Sequence, residues 1–296
     1  MARKLKYIWL LLTVYLSGCI TISAQSITLY SFPPPHPIKW RNPHSLLLST
    51  VRNYLSGKNK EYPRRPIGHL LVELKKGSSS IITGMAPDHP SEFKELIFKE
   101  KAGLSILFDV VDGHLERTER VKTELNLRTE NSKVAFITYH ISDSAYEYLR
   151  CYIDSFKARG YDNLYNGENE PRMGKGAGCS AFGVSFLELI NALQPEYKEN
   201  WAVQVDIPER LLGETIENKK VSVWKMLFSF SWAKKKEPSR SLMLYDPYLI
   251  YKWIKKKWKK ENHNSNGIYK TKKINKAKGL EIECKDCEPQ VPMFKV

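Results

Sequence analysis

Gly176-Ala177-Gly178-Cys179 leads directly into residues 180–193, where Phe182, Phe186, Ile190 and Leu193 recur at helical spacing. The pattern predicts an amphipathic helix with Cys179 in its first turn. A thiol there lies among unpaired amide hydrogens at the positive end of the helix dipole. Both lower its pKa and favour the thiolate, the form that attacks acyl groups. A histidine stands far upstream, at the head of the run Gly68-His69-Leu70-Leu71-Val72-Glu73-Leu74. At the start of a strand it can project over the N-terminus of a packed helix. A Cys-His pair needs that placement, with a third polar group holding the imidazole in one tautomer. His140, at the end of another apolar run, is a rival base.

The other cysteines point elsewhere. Cys284 and Cys287 form a lone C-x-x-C. With no second Cys or His pair at ligand spacing it is half a zinc site, and in an exported chain a local disulfide is expected. A Cys151–Cys179 disulfide is the alternative that would remove the nucleophile. No metal site, phosphate-binding glycine loop or serine nucleophile elbow is present, and no cofactor is expected.

The elements that must position Cys179 and His69 follow from periodicity and punctuation. Residues 46–55 read as a short helix, 67–74 as a strand, and 75–79 as a hairpin turn into a second strand at 80–83. Residues 104–111 and 134–140 read as buried strands. Ser142-Asp143-Ser144 caps a helix over 145–159, a glycine- and charge-rich loop spans 163–178, and 201–207 alternates like a strand. This order predicts an α+β domain with an antiparallel sheet packed by helices.

Arg3, Lys4 and Lys6 precede the uncharged stretch 7–18, which reads as a signal peptide. Leu16-Ser17-Gly18-Cys19 resembles a bacterial lipobox, making Cys19 the lipidated first residue of an exported, membrane-anchored envelope protein. Cleavage near Ser23-Ala24-Gln25 is the alternative. Loss of those three basic residues lowers the net charge of +15 to +12. The expected organisation is signal peptide 1–18, proline-rich tether and lead-in 19–60, domain 61–250 and basic tail 251–296. In the tail, lysines alternate with Trp253, Ile254 and Trp258, which suits a solvated or membrane-contacting segment. Export argues against nucleic acid as a partner, and no recognition motif supports one.

Taken together, the histidine strand, hairpin, capped helix, loop and cysteine helix resemble the circularly permuted NlpC/P60-like branch of the papain-like fold. In outline they are closest to lecithin:retinol acyltransferase-like proteins, over about residues 67–193. The resemblance implies a permuted papain-like domain with Cys179 as nucleophile, His69 as general base and the Cys179 N–H in an oxyanion hole. Family members carry a further polar residue on the strand after the hairpin, where this chain offers Thr83. Glu73 shares the face of His69 but lies roughly 13 Å along a regular strand. The implied activity is that of a thiol hydrolase or acyltransferase acting on an amide or ester, in a peptidoglycan peptide or a lipid acyl group. The contrasting expectation is a non-catalytic envelope lipoprotein whose papain-like scaffold serves binding or membrane contact.

Overall fold

The computed structural model describes residues 25–56, 63–90, 92–213, 219–262, 267–284 and 286–295. The expected signal segment 1–18 and the expected lipidation site Cys19 lie outside the described residues. The chain is a mixed α+β protein whose six-stranded sheet has the order β10-β11-β6-β1-β2-β3. Its strands are β1 (Gln25–Phe32), β2 (His69–Lys76), β3 (Ser79–Thr83), β6 (Ala135–Ile141), β10 (Lys270–Ile274) and β11 (Ala277–Glu283). Every pairing is antiparallel except β11 on β6. A small sheet β4-β5-β7 holds β4 (Met85–Pro87), β5 (Val111–Leu115) and β7 (Leu164–Tyr165); β8 (Ala202–Pro208) and β9 (Ser239–Tyr245) form a separate ribbon.

Side-chain alternation divides the main sheet into two buried faces. Leu70, Val72 and Leu74 of β2 face the larger core, together with Ile27 and Leu29 of β1. Tyr30, Phe32 and Leu71 face a smaller cluster closed by Val121 and Leu125 of α3 (Thr118–Glu130). On the larger side lie α4 (Asp143–Ala158), capped by Ser142, which accepts from the Ala145 N–H at 3.1 Å, and α5 (Cys179–Leu189). Tyr152 and Phe156 of α4 meet Phe182 and Phe186 of α5 at ring separations of 5.1 to 6.2 Å. This aromatic contact fixes the cysteine helix against the fold.

Three expectations are corrected. The supposed tether and lead-in at 19–60 contains β1, a central strand of the sheet; the prolines that suggested a tether, Pro33, Pro34 and Pro35, come just after it. Residues 104–111 are not a strand: Leu104–Leu107 is a turn of 3₁₀ helix, and the strand is β5, beginning at Val111. The stretch 251–296 is no tail. It contributes most of α8 (Pro247–Glu261), then β10 and β11; α8 and β11 are built into the same core, and β10 pairs along β11. Asp246 caps α8 by accepting from the Tyr248 N–H at 2.7 Å, and Ile250, Trp253, Ile254 and Trp258 bury one stripe. The lysines lie over those rings: Lys257 is 5.5 Å from Trp253, and Lys278 is 4.1 Å from Trp258. Their aliphatic stems cover apolar surface while the ammonium groups stay in water.

Candidate active site

Gly68 has φ +82°, and a Cβ there would stand 2.9 Å from both Phe32 O and Pro247 Cβ. Only glycine fits this turn into β2, which delivers His69 to the sheet edge in a buried position. β3 pairs with β2 only from Val72 to Lys76, so the edge of β2 at His69 and Leu70 is open. The start of α5 fills that opening. At Gly183 the helix runs so close to β2 that a Cβ would lie 2.5 Å from Leu70 Cδ2. Asn166, buried in the preceding loop, donates to Lys175 O at 2.8 Å and accepts from the Glu168 N–H at 3.1 Å, bracing the chain that enters the helix.

The structure brings Cys179 and His69 near enough for the charge of each to favour that of the other. His69 Nε2 lies 2.6 Å from Glu116 Oε2. Burial pushes the Cys179 thiol up, but the charge and hydrogen bond of His69, the Leu70 N–H and the Ser180 hydroxyl together hold it below the ordinary thiol value. Burial and Arg65 push the imidazole down; the carboxylate of Glu116 and the Cys179 thiolate outweigh them and raise it. Burial likewise favours protonation of Glu116, yet His69 and Arg65 hold its carboxyl down to about 2. The three shifts therefore support one another, each toward the charged form: thiolate, imidazolium and carboxylate.

Glu116 is the residue sequence reading missed. It follows β5, and its other oxygen accepts from Arg65 Nη2 at 2.7 Å. Arg65 is held in turn by Glu124 at 2.8 Å, and Glu124 accepts from Arg128 Nε at 2.7 Å. Neither expected orienting residue touches His69. Thr83 donates to the backbone oxygen of Glu116 at 2.9 Å, because β3 ends beside β5 rather than beside the imidazole. It pins the residue that does the orienting. Glu73 accepts from Tyr30 at 2.7 Å and from Ser80 at 2.6 Å, two turns of the pleat away from His69. His140, on β6, faces Glu281 at 3.5 Å and belongs to another part of the sheet. Cys284 and Cys287 are joined in a disulfide, whereas Cys151 and Cys179 are free.

Cys179 opens onto a cavity of about 440 Å³. Its lining is largely apolar, with Leu47, Val51, Ile97, Leu104 and Leu107 on the walls. Tyr165 of β7 also lines it, close enough to Cys179 for their charges to interact. No side chain caps the start of α5, so its first amides are available to an oxyanion beside the sulfur. Among the described residues, no group of three or more His, Cys, Asp or Glu is arranged to hold a metal, and no helix is long and apolar enough to cross a membrane.

No protein-family model, curated protein or solved structure matches the chain. The chemical reading therefore rests on the geometry.

Proposed function

We propose that this chain is a thiol acyl hydrolase or acyltransferase, built as a permuted papain-like domain in which the histidine strand precedes the cysteine helix. The observation that carries the reading is the buried line Cys179–His69–Glu116 ending at an apolar cavity. In the first half-reaction the Cys179 thiolate attacks an ester or amide carbonyl, and the oxygen takes up negative charge near the free amides of α5. The tetrahedral intermediate collapses to a thioester as His69 gives its proton to the leaving alcohol or amine. In the second half-reaction His69 removes a proton from water or another acceptor, which attacks the thioester and frees the thiolate. Glu116 stabilises the imidazolium in both halves.

An apolar cavity beside the sulfur favours an acyl chain over a charged peptidoglycan peptide as the group transferred. The export signal supports action in the cell envelope, with Cys19 as the lipidated residue; either that processing or cleavage after Ala24 leaves β1 whole. A series of p-nitrophenyl esters from acetyl to palmitoyl tests the reading. We expect release of p-nitrophenol, an acyl adduct mapped by mass spectrometry to Cys179, and turnover that rises with chain length. Loss of both signals in H69A is also expected. Absence of any Cys179 adduct refutes the thiol mechanism, and indifference to chain length refutes the acyl-chain assignment.

A further inference from the structure

Three aromatic side chains stand in water on one short stretch of chain. Trp224, Phe228 and Phe230 are 68%, 68% and 63% exposed. Trp224 and Phe228 flank each other across α7 (Val223–Leu227), with ring centroids 6.3 Å apart, and Phe230 lies 4.7 Å from the His44 ring. His44 begins a stripe along α1 (Pro43–Leu55): His44, Leu48, Val51 and Leu55 are spaced by four, three and four residues and share one helix face. The last three are exposed, Leu55 by 78%. Val51 and Leu55 also line the cavity that contains Cys179, as do Ile67 and Phe98, both exposed. One apolar band thus runs from the aromatic rings, along α1, to the cavity.

The surroundings of the band are basic. Lys219, Lys220, Lys225, Lys234, Lys235 and Lys236 are all exposed next to the aromatic residues in the chain. The nearby carboxylate of Glu237 is occupied by Arg210 at 2.8 Å and by the Lys234 N–H at 3.0 Å. Large exposed apolar bands mark interaction sites. Protein-binding surfaces are depleted in lysine, whereas aromatic rings ringed by lysines suit the headgroup region of an anionic bilayer.

We propose that this band docks the protein on an anionic phospholipid bilayer, with Trp224, Phe228 and Phe230 inserted at the headgroup level and the cavity opening toward the lipid. The surface is distinct from the C-terminal lysines Lys257, Lys273 and Lys278, which lie over the rings of α8, and it stands whether or not Cys179 is a nucleophile.

The test uses full-length protein carrying W9F, so that the N-terminal segment contributes no tryptophan signal, mixed with phosphatidylcholine–phosphatidylglycerol vesicles. With brominated acyl chains, part of the tryptophan emission is quenched, and W224F removes most of that component while leaving binding in place. K234A/K235A/K236A weakens partitioning by about fivefold for each lysine at the surface, and the effect fades in high salt. W224S/F228S/F230S weakens it by about tenfold or more; all three positions are exposed, and an unchanged circular dichroism spectrum verifies the fold. Quenching undiminished by W224F, or partitioning unaltered in the serine variant, overturns the proposal. Burial of Trp224 without lipid that grows with protein concentration assigns the band to a second copy and overturns it as well. None of these readouts depends on catalysis, so a null result with esters leaves them interpretable.

Discussion

Glu116→Gln isolates the charge that the site depends on. The amide keeps the shape of the carboxylate and can still face Arg65, which retains Glu124 at 2.8 Å. What disappears is the anion 2.6 Å from His69 Nε2. A hydrogen bond to a charged group is worth about 1.5–3 kcal/mol, and one pKa unit corresponds to about 1.36 kcal/mol. The imidazolium should therefore lose about one to two pKa units. Since that imidazolium holds the Cys179 thiol down, the thiolate becomes correspondingly harder to form. The assay is iodoacetamide alkylation as a function of pH, with the modified peptide quantified by mass spectrometry. In the unsubstituted protein we expect Cys179 to react with an apparent pKa below the ordinary thiol value of about 8.5. In E116Q the rise should move upward by about one to two pH units. Glu73→Gln is the control: Glu73 engages Tyr30 and Ser80 and should leave the profile in place. If folded E116Q gives a Cys179 profile that superimposes on that of the unsubstituted protein, Glu116 does not orient a catalytic imidazole and the triad is wrong.

Three further outcomes are expected. The Glu116 carboxyl lies at about 2 when folded against an ordinary 4.5, so its contribution to stability is complete above pH 4.5 and is lost as the pH falls toward 2. That contribution is roughly 3 kcal/mol; urea titrations between pH 7 and pH 2 should show a shallower acid loss in E116Q. Gly183→Ala sets a methyl 2.5 Å from Leu70 Cδ2, which should cost about 1–3 kcal/mol and slow Cys179 alkylation at pH 7 by lifting α5 from β2; a normal rate would show that the close approach does not set the thiol's position. Trp253→Ala removes a buried ring that meets Tyr197, Trp201 and Tyr269 and should destabilise the whole fold by about 3–5 kcal/mol. Denaturation by circular dichroism checks this, and a surface-like loss below about 0.5 kcal/mol would mean that α8 is peripheral after all.

Parts of this arrangement were legible in the sequence because a local signal and the tertiary context agreed. The Cys179 helix has a strong apolar period, α4 has its serine cap, and the β2–β3 hairpin has its glycine turn. The β1 strand also carries an alternating pattern, Ile27, Leu29 and then Tyr30 and Phe32 serving opposite faces, but the prolines that follow it suggested an extended tether. In α8 the lysines hid the buried stripe, because a side chain that covers a ring with its stem and solvates its head reads as polar. Glu116 had the weakest signal. Its strand contains Gly113 and His114 and is preceded by an apolar run that folds as a 3₁₀ turn, so nothing local marks an acid there as the partner of His69. Only the crossing of β5 past the end of β3 brings the two together.

The parallel pairing of β11 with β6 bears on when the Cys179–His69 site is completed. β1 cannot be flanked on both sides until β6, more than a hundred residues later, has emerged, and β6 lacks its other neighbour until residues near 280 arrive. The final described residues add a latch: Arg172, just ahead of the cysteine helix, donates to the backbone oxygens of Pro292 and Met293. Such non-local contacts make folding slow and late. A chain still being synthesised thus carries Cys179 without the finished frame that presses it against His69. The topology itself delays assembly of the site until β11 and residues 292–293 are in place.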